Sequence, residues 1–367
     1  MALARLRGVA VRWRVAAAAV ASASCAATAW GALSLGTEPP GAPATPLSPP
    51  APRVFAERVD VDTFHKGNLH THSAESDGDA PPAEVIRWYR EHGYAFVAIT
   101  DHNHRIDPRT YAHLERPGFV LLPGEELTMT AEDKPVHVNA ICHDRKIGGG
   151  TFGSKSLALS FALEKIDQQG AIALVNHPNF AGALGPEELW SARGATLLEI
   201  YSGHPYVYSD GVDNRPSHEA LWDQSLARGA AFFGVAVDDA HHFATQPEGK
   251  AARPGRAWIA TYGAAPAPLT AKGVCEAIRA GRFYASSGAE LERLVVGERA
   301  VTVWPKEPGA RVELLGPGGV VLAAQDGAPD GATFELTSDV EWVRARVVDP
   351  SGARAWTQPL RTVRADP

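Results

Sequence analysis

Gly93-Tyr94-Ala95-Phe96-Val97-Ala98-Ile99-Thr100-Asp101-His102 is the stretch on which the fold turns. Its glycine closes a segment that opens at Pro81-Pro82 and carries Val85, Ile86 and Tyr89 on one helical face, so it reads as a helix stop. The apolar run after it predicts a strand, and the strand ends on a polar triplet. The same unit returns twice. Leu159, Leu163 and Ile166 share a face before Gly170, and the run from Ala171 to Val175 leads into Asn176-His177. Leu221, Trp222 and Leu226 precede Gly229, and the run from Ala230 to Val237 leads into Asp238-Asp239. Apolar runs of this length between helices indicate strands covered on both faces, as in a parallel sheet. Polar residues gathered at the carboxyl ends of such strands mark the active face of a β/α barrel. A single polar terminus would be an ordinary cap; three in register are a constellation.

Working outward, every one of the 14 histidines falls between His65 and His242. Leu69-His70-Thr71-His72 sets two imidazoles two residues apart, on one side of a short strand. Asp77 follows in Ser76-Asp77-Gly78-Asp79, then His102, Glu126 in Pro123-Gly124-Glu125-Glu126, His137 in Val136-His137-Val138-Asn139, His177, and Asp239-Ala240-His241. These nine residues offer six nitrogens and three carboxylates. The mixture suits Zn²⁺, Mn²⁺ or Fe²⁺ better than Ca²⁺ or Mg²⁺. Nine ligands exceed the need of one ion, so two or three clustered ions with a bridging carboxylate are expected. Glu125 competes with Glu126, and Asp238 with Asp239. Asp101 and Asn103 flank His102 and read as supports of the ligands or as substrate contacts. His204, in Glu199-Ile200-Tyr201-Ser202-Gly203-His204, follows another strand end and is a candidate to face substrate. His65, His92, His104, His113, His143, His218 and His242 read as surface residues. The glycine-rich stretch 148–156 reads as a loop before a helix capped by Ser154 or Ser156, and no Gly-x-Ser-x-Gly elbow is present.

In order, the series His70-Thr71-His72 with Ser76-Asp77-Gly78, Thr100-Asp101-His102-Asn103, Pro123-Gly124-Glu125-Glu126, His137-Val138-Asn139-Ala140, Asn176-His177-Pro178 and Asp239-Ala240-His241 resembles the PHP (polymerase and histidinol phosphatase) superfamily, and within it the CehA/McbA-like metallohydrolases. The likeness covers roughly residues 60–245, and Gly281-Arg282-Phe283-Tyr284-Ala285-Ser286-Ser287-Gly288 adds to it. It implies a distorted seven-stranded β/α (TIM-like) barrel around a di- or trinuclear centre. It also implies His70, His72, Glu126 and Asp239 on one ion, Glu126, His137 and His177 on a second, and Asp77, His102 and His241 on a third. The ligand spacing of the family favours Glu126 over Glu125.

The barrel is expected over 58–265. Before it, Arg5, Arg7, Arg12 and Arg14 precede an uncharged stretch, so 1–37 reads as a cleaved signal peptide, with an uncleaved anchor or a lipoprotein at Cys25 as alternatives. Seven prolines between Glu38 and Pro52 make 38–57 an extended linker. After it, 266–290 reads as a helix and a loop returning to the barrel mouth, where Arg282 could meet an anionic substrate. Alternating runs across 291–367 predict a small accessory β-sandwich-like domain. In Val343-Arg344-Ala345-Arg346-Val347 the alternation predicts one buried and one solvated face. Cys142 and Cys275 are expected as separate buried thiols. A net charge of −7 excludes a broad basic surface for a nucleic-acid polymer.

These features together predict an exported, periplasmic or extracellular hydrolase. It would act on a small anionic substrate, a phosphoester attacked in line by a metal-bridging hydroxide. A hydrolase of carbon esters, carbamates or amides is the alternative, and a non-catalytic metal-binding envelope protein the third reading. Membrane contact would come only through the N-terminal anchor, and the sequence leaves the oligomeric state open.

Overall fold

The computed structural model describes residues 53–365 apart from 193, 195, 246–249, 264–268 and 338. The expected export segment and the linker up to residue 52 lie outside the described residues.

Four helices form where periodicity and caps coincide: α1 (Pro82–Glu91), α2 (Lys155–Asp167), α3 (His218–Ala227) and α4 (Ala271–Arg279). Pro82 opens α1, whose Val85, Ile86 and Tyr89 are buried. Ser154, Ser217 and Thr270 cap the other three by accepting the N–H of Leu157, Ala220 and Gly273. The strands that carry the site are β1 (His65–Asn68), β2 (Phe96–Ala98), β3 (Val120–Leu122), β4 (Gly124–Ala131), β5 (Lys134–Ile141), β6 (Ile172–Val175), β7 (Leu197–Ser202), β8 (Phe233–Val237), β9 (Trp258–Thr261) and β10 (Phe283–Ser286). Gly67 is required in β1, because a Cβ there would lie 2.2 Å from the Phe96 ring of the neighbouring strand.

The arrangement is a mixed α/β fold with several sheets, and no closed barrel is detected among the described residues. β1, β2 and β3 pair in parallel, while β9 pairs antiparallel with the other edge of β1 and β10 pairs antiparallel with β9. A second sheet has β6, β7 and β8 parallel, but β5 antiparallel to both β4 and β6. Glu132 and Asp133, with φ of 54° and 56°, make the tight turn that reverses β4 into β5. The two sheets touch through isolated bridges, Thr71 with Ala240 and His102 with Glu126. Side chains take the place of a ladder at the outer edge of β8, where the Gln358 amide accepts from Gly234 N–H and donates to Gly234 C=O, both at 2.8 Å.

Beyond 291, Arg311–Gly316, Val320–Asp326, Trp342–Val348, Arg354–Thr357 and Leu360–Arg364 continue the first sheet, while Leu291–Val296, Ala300–Pro305 and Ala332–Glu335 form a separate sheet with Val59–Val61. Arg354–Thr357 pairs with β10, and Trp356 is fully buried in the same apolar cluster as Leu174 and Val235. Each such side chain taken out of water contributes about 1.5–3 kcal/mol. Two expectations are corrected here. Arg344 does not face solvent: it is 0% exposed and grips Asp223 of α3 through Nε and Nη2 (3.0 and 2.8 Å), with Glu219 at 2.7 Å. The face predicted to be solvated is covered by a helix that presents two acids. Cys142 and Cys275 are not separate thiols but a disulfide tying the end of β5 to α4 across 133 residues of sequence, a proximity that only folding creates.

Candidate metal centre

Six of the expected ligands follow strand ends, Asp77 lies in the loop after β1, and two lie within a hairpin. His70 and His72 follow β1, His102 follows β2, Glu126 and His137 lie on the β4–β5 hairpin, His177 follows β6, and Asp239 and His241 follow β8. All nine converge. His70 Nε2 and His72 Nε2 are 3.2 Å apart, and Asp239 Oδ1 lies 3.4 and 3.3 Å from them. Three atoms in a triangle of that size share a point about 2 Å from each, the length of a zinc–nitrogen or zinc–oxygen bond. Glu126 Oε2 stands at 3.4 and 3.3 Å from the same two nitrogens. Its carboxylate also meets His102 Nδ1 and His137 Nδ1, both at 3.0 Å, and His177 Nε2 at 3.5 Å. Asp77, half exposed, lies 3.4 Å from His72, His102 and His241. Four overlapping groups could each hold a cation: His72 with Asp77, His102 and His241; His70 with His72 and Asp239; His70 with Glu126 and His177; His102 with Glu126 and His137.

The donors fit divalent ions on two further grounds. Glu126 Oε2, Asp239 Oδ1 and His137 Nδ1 are buried without a hydrogen-bond partner, which is costly unless a cation meets them. Burial opposes charge on Glu126 and Asp239, yet the surrounding imidazoles hold both well below the carboxylate range. Conversely, burial works against a charged His102, but Glu126 and Asp77 push it up to about 10, and His70, His177 and His241 are raised too. The acids thus gather protons onto the rings, and divalent ions would displace them.

Geometry closes the two alternatives left open. Glu125 points to the other side of β4, accepting the N–H groups of Ile147 and Gly148 beside His143. Asp238 accepts from Tyr89 Oη and from the N–H groups of Gly255, Arg256 and Ala257, so it is structural, while Asp239 turns into the cluster at φ 49°. Asp101 accepts from Ser73 N, Ser73 Oγ and Ser76 Oγ at 2.6–2.7 Å, fixing the loop that carries Asp77. The Asn103 amide pairs with the N–H and C=O of Thr128. Neither lines the cleft; each fixes backbone beside cluster residues. His204 does line it, and burial holds its ring down to about 4. Arg282 does not. His143 and His218, expected at the surface, are buried.

Three supports escaped the sequence reading. Glu199 accepts His70 Nδ1–H at 2.6 Å and His177 N–H at 2.7 Å. Asn176 donates to Glu126 Oε1 at 2.7 Å, and Thr128 Oγ1 lies 2.6 Å from His102 Nδ1. The available signal for Glu199 was one acid inside the apolar run of β7, a placement that demands a buried partner.

Over the cluster opens a cleft of about 240 Å³, completed by Phe180, His204, Val207 and His242. Among the described residues no lysine or arginine lines it.

No family model and no curated protein matches the chain. Solved structures do. A two-domain protein of Bacteroides vulgatus containing a predicted PHP-like metal-dependent phosphoesterase is similar at 17% identity and TM-score 0.43, over 83% of this chain and 98% of that one. A candidate metal-dependent phosphoesterase of Bifidobacterium adolescentis is similar at 17% identity and TM-score 0.38, over 50% of this chain and 90% of that one. An amidohydrolase of Chromobacterium violaceum with sulfate bound is similar at 16% identity and TM-score 0.38, over 48% and 88%. Likenesses of this size carry no functional argument, which rests on the residues of the site.

Proposed function

We propose that this chain is a metal-dependent hydrolase of the PHP type, acting on a phosphoester. One observation carries the reading: nine ligand residues form four overlapping groups that share His70, His72, His102 and Glu126 beneath an open cleft. A structural site closes with four ligands and has no cleft above it. Bound divalent ions would supply a water acidic enough to attack near neutral pH and would neutralise charge developing on the substrate.

The chain's own residues divide the remaining work. Glu126 and Asp239 provide buried negative charge that only cations balance. Glu199 holds His70 with its Nε2 lone pair inward, and Asp101 keeps the Asp77 loop over the cluster. Phe180 and Val207 supply the apolar part of the cleft lining. Carbon esters, carbamates or amides are the second reading, favoured by the lack of lysine and arginine in the lining.

Protein stripped with chelator and reloaded with Zn²⁺, Mn²⁺ or Fe²⁺ is tested on phosphomonoesters, phosphodiesters and aryl carboxyl esters. Metal-restored turnover of a phosphoester supports the first reading; turnover of carbon esters alone selects the second, and full activity without metal removes both.

We also propose export to an oxidising compartment, which the Cys142–Cys275 disulfide favours. Cell fractionation tests this, and a purely cytosolic protein with free thiols would refute it.

A further inference from the structure

Hydrogen bonds to ring nitrogens set His70 and His241 of the cluster apart from His204 in the cleft wall. In His70 and His241 the Nδ1 meets an oxygen that only accepts, the Glu199 carboxylate at 2.6 Å and the Asp239 carbonyl at 3.0 Å. Both rings therefore carry a proton on Nδ1 and turn the Nε2 lone pair toward the cluster, as a ligand must. His204 is the reverse. Its Nδ1 accepts the backbone N–H of Tyr206 at 3.3 Å, so the neutral ring holds its proton on Nε2. With its lone pair already engaged, this ring has none to offer a cation, and His204 belongs to none of the candidate cation groups. It nevertheless lies beside them, edge-on to His241 with ring centroids 5.3 Å apart, in the wall of the same cleft.

The backbone around His204 is fixed. Ser202 Oγ accepts His204 N–H at 3.2 Å, Ser209 Oγ accepts Ser202 N–H at 2.9 Å, and Gly203 sits where a Cβ would lie 2.5 Å from Arg256. The donor is thus held in place before substrate arrives, which is the condition for electrostatic stabilisation without reorganisation. His242, the other non-ligand histidine of the lining, has Nδ1 between the N–H and C=O of Ala252 (3.1 and 3.3 Å), which fixes no tautomer.

We propose that His204 is a catalytic residue whose Nε2–H donates a hydrogen bond to the leaving-group oxygen as charge develops there. This rests on the hydrolase reading. No proton leaves the ring: the bond from the electrophilic centre to the leaving oxygen breaks, that oxygen keeps the electron pair, and solvent water protonates it afterwards. A neutral imidazole serves such a step as a donor and not as an acid. Among the described lining residues there is no lysine or arginine to act as that donor instead.

The test compares metal-loaded wild type, H204A and H204Q on phenyl phosphate and 4-nitrophenyl phosphate, and on the two matching acetates. The phenolate oxygen carries more localised charge, so H204A should lose about a hundredfold in kcat on the phenyl ester and about tenfold or less on the nitrophenyl ester. H204Q, which retains an N–H at similar reach, should recover most of the loss. Equal losses for both leaving groups, or H204Q as impaired as H204A, would overturn the role. A second readout is independent of turnover: ¹⁵N-histidine NMR of the metal-free protein, with the H204Q spectrum assigning His204, should find the proton on Nε2. A proton on Nδ1 in an active enzyme would sink the His204 role alone. Inactive metal-loaded wild type on all four esters, with the Nε2–H tautomer present, would sink the hydrolase reading and the catalytic role with it.

Discussion

Glu199 and His70 are joined at 2.6 Å beneath the candidate centre, and the second oxygen of the same carboxylate holds the backbone N–H of His177 at 2.7 Å. One buried acid from β7 therefore orients ligands from two other strands. Glu199→Gln puts a donor against one of these two donors. It should weaken metal affinity by about 10–100-fold while the protein still folds. Competition with a graded chelator, read as metal content, checks this; unchanged affinity would refute it.

Glu126 is the acid that the most imidazoles share. Glu126→Gln should leave the purified protein with at least one ion fewer and cut kcat by about a hundredfold or more. Elemental analysis beside turnover decides it. A variant with full metal content and full activity would show that Glu126 bridges nothing.

The Cys142–Cys275 disulfide closes a loop of 133 residues in sequence separation. In the chain-entropy account a loop of that length contributes about 5 kcal/mol. Reductant, or the Cys142→Ser/Cys275→Ser pair, should lower the melting temperature by several degrees. Calorimetry with and without reductant measures it, and coincident curves would contradict the prediction.

Arg344 is buried against Glu219 and Asp223. Burial already raises the Asp223 carboxyl, although Arg344 opposes the rise. Arg344→Ala leaves two acids buried without their main partner, and should cost about 3–5 kcal/mol. Denaturant unfolding tests this. Adding Asp223→Asn to the variant should recover part of the loss.

Asp79 provides a pH test. Burial disfavours its charge, but hydrogen bonds from Thr245 Oγ1 and from the N–H groups of Phe243, Thr245 and Ala244 outweigh it and hold the carboxyl down to about 2. A group depressed below its unfolded value stabilises above about pH 4, and that contribution is lost as pH falls toward 2. Asp79→Asn should cost about 1–2 kcal/mol at pH 7, allowing for solvent screening, and flatten the loss between pH 4 and 2. Melting temperatures at pH 7, 4 and 3 check both parts; parallel profiles for variant and wild type would refute the assignment.

Much of the site was legible because strand ends are local. Thr100-Asp101-His102 and Asn176-His177 announce themselves by following apolar runs, and a glycine before each run marks where the preceding helix stops. The choice between Glu125 and Glu126 was not legible from the spacing of charges alone. It depends on which side of β4 faces the cluster, and the antiparallel pairing with β5 sets that side. Arg344 misled for a related reason: alternation tells one face from the other, but not whether a helix covers the second.

By itself, the sequence determined the series of side chains that could bind metal, short of the choices within Glu125–Glu126 and Asp238–Asp239, where the helices stop, and that strand termini carry the chemistry, since these follow from period, capping and donor type. Only the tertiary structure decided how the ligands group, that Glu199 orients two of them, and that Cys142 meets Cys275. Those are distances between residues far apart in the chain, fixed when the two sheets are brought edge to edge at Thr71–Ala240 and His102–Glu126.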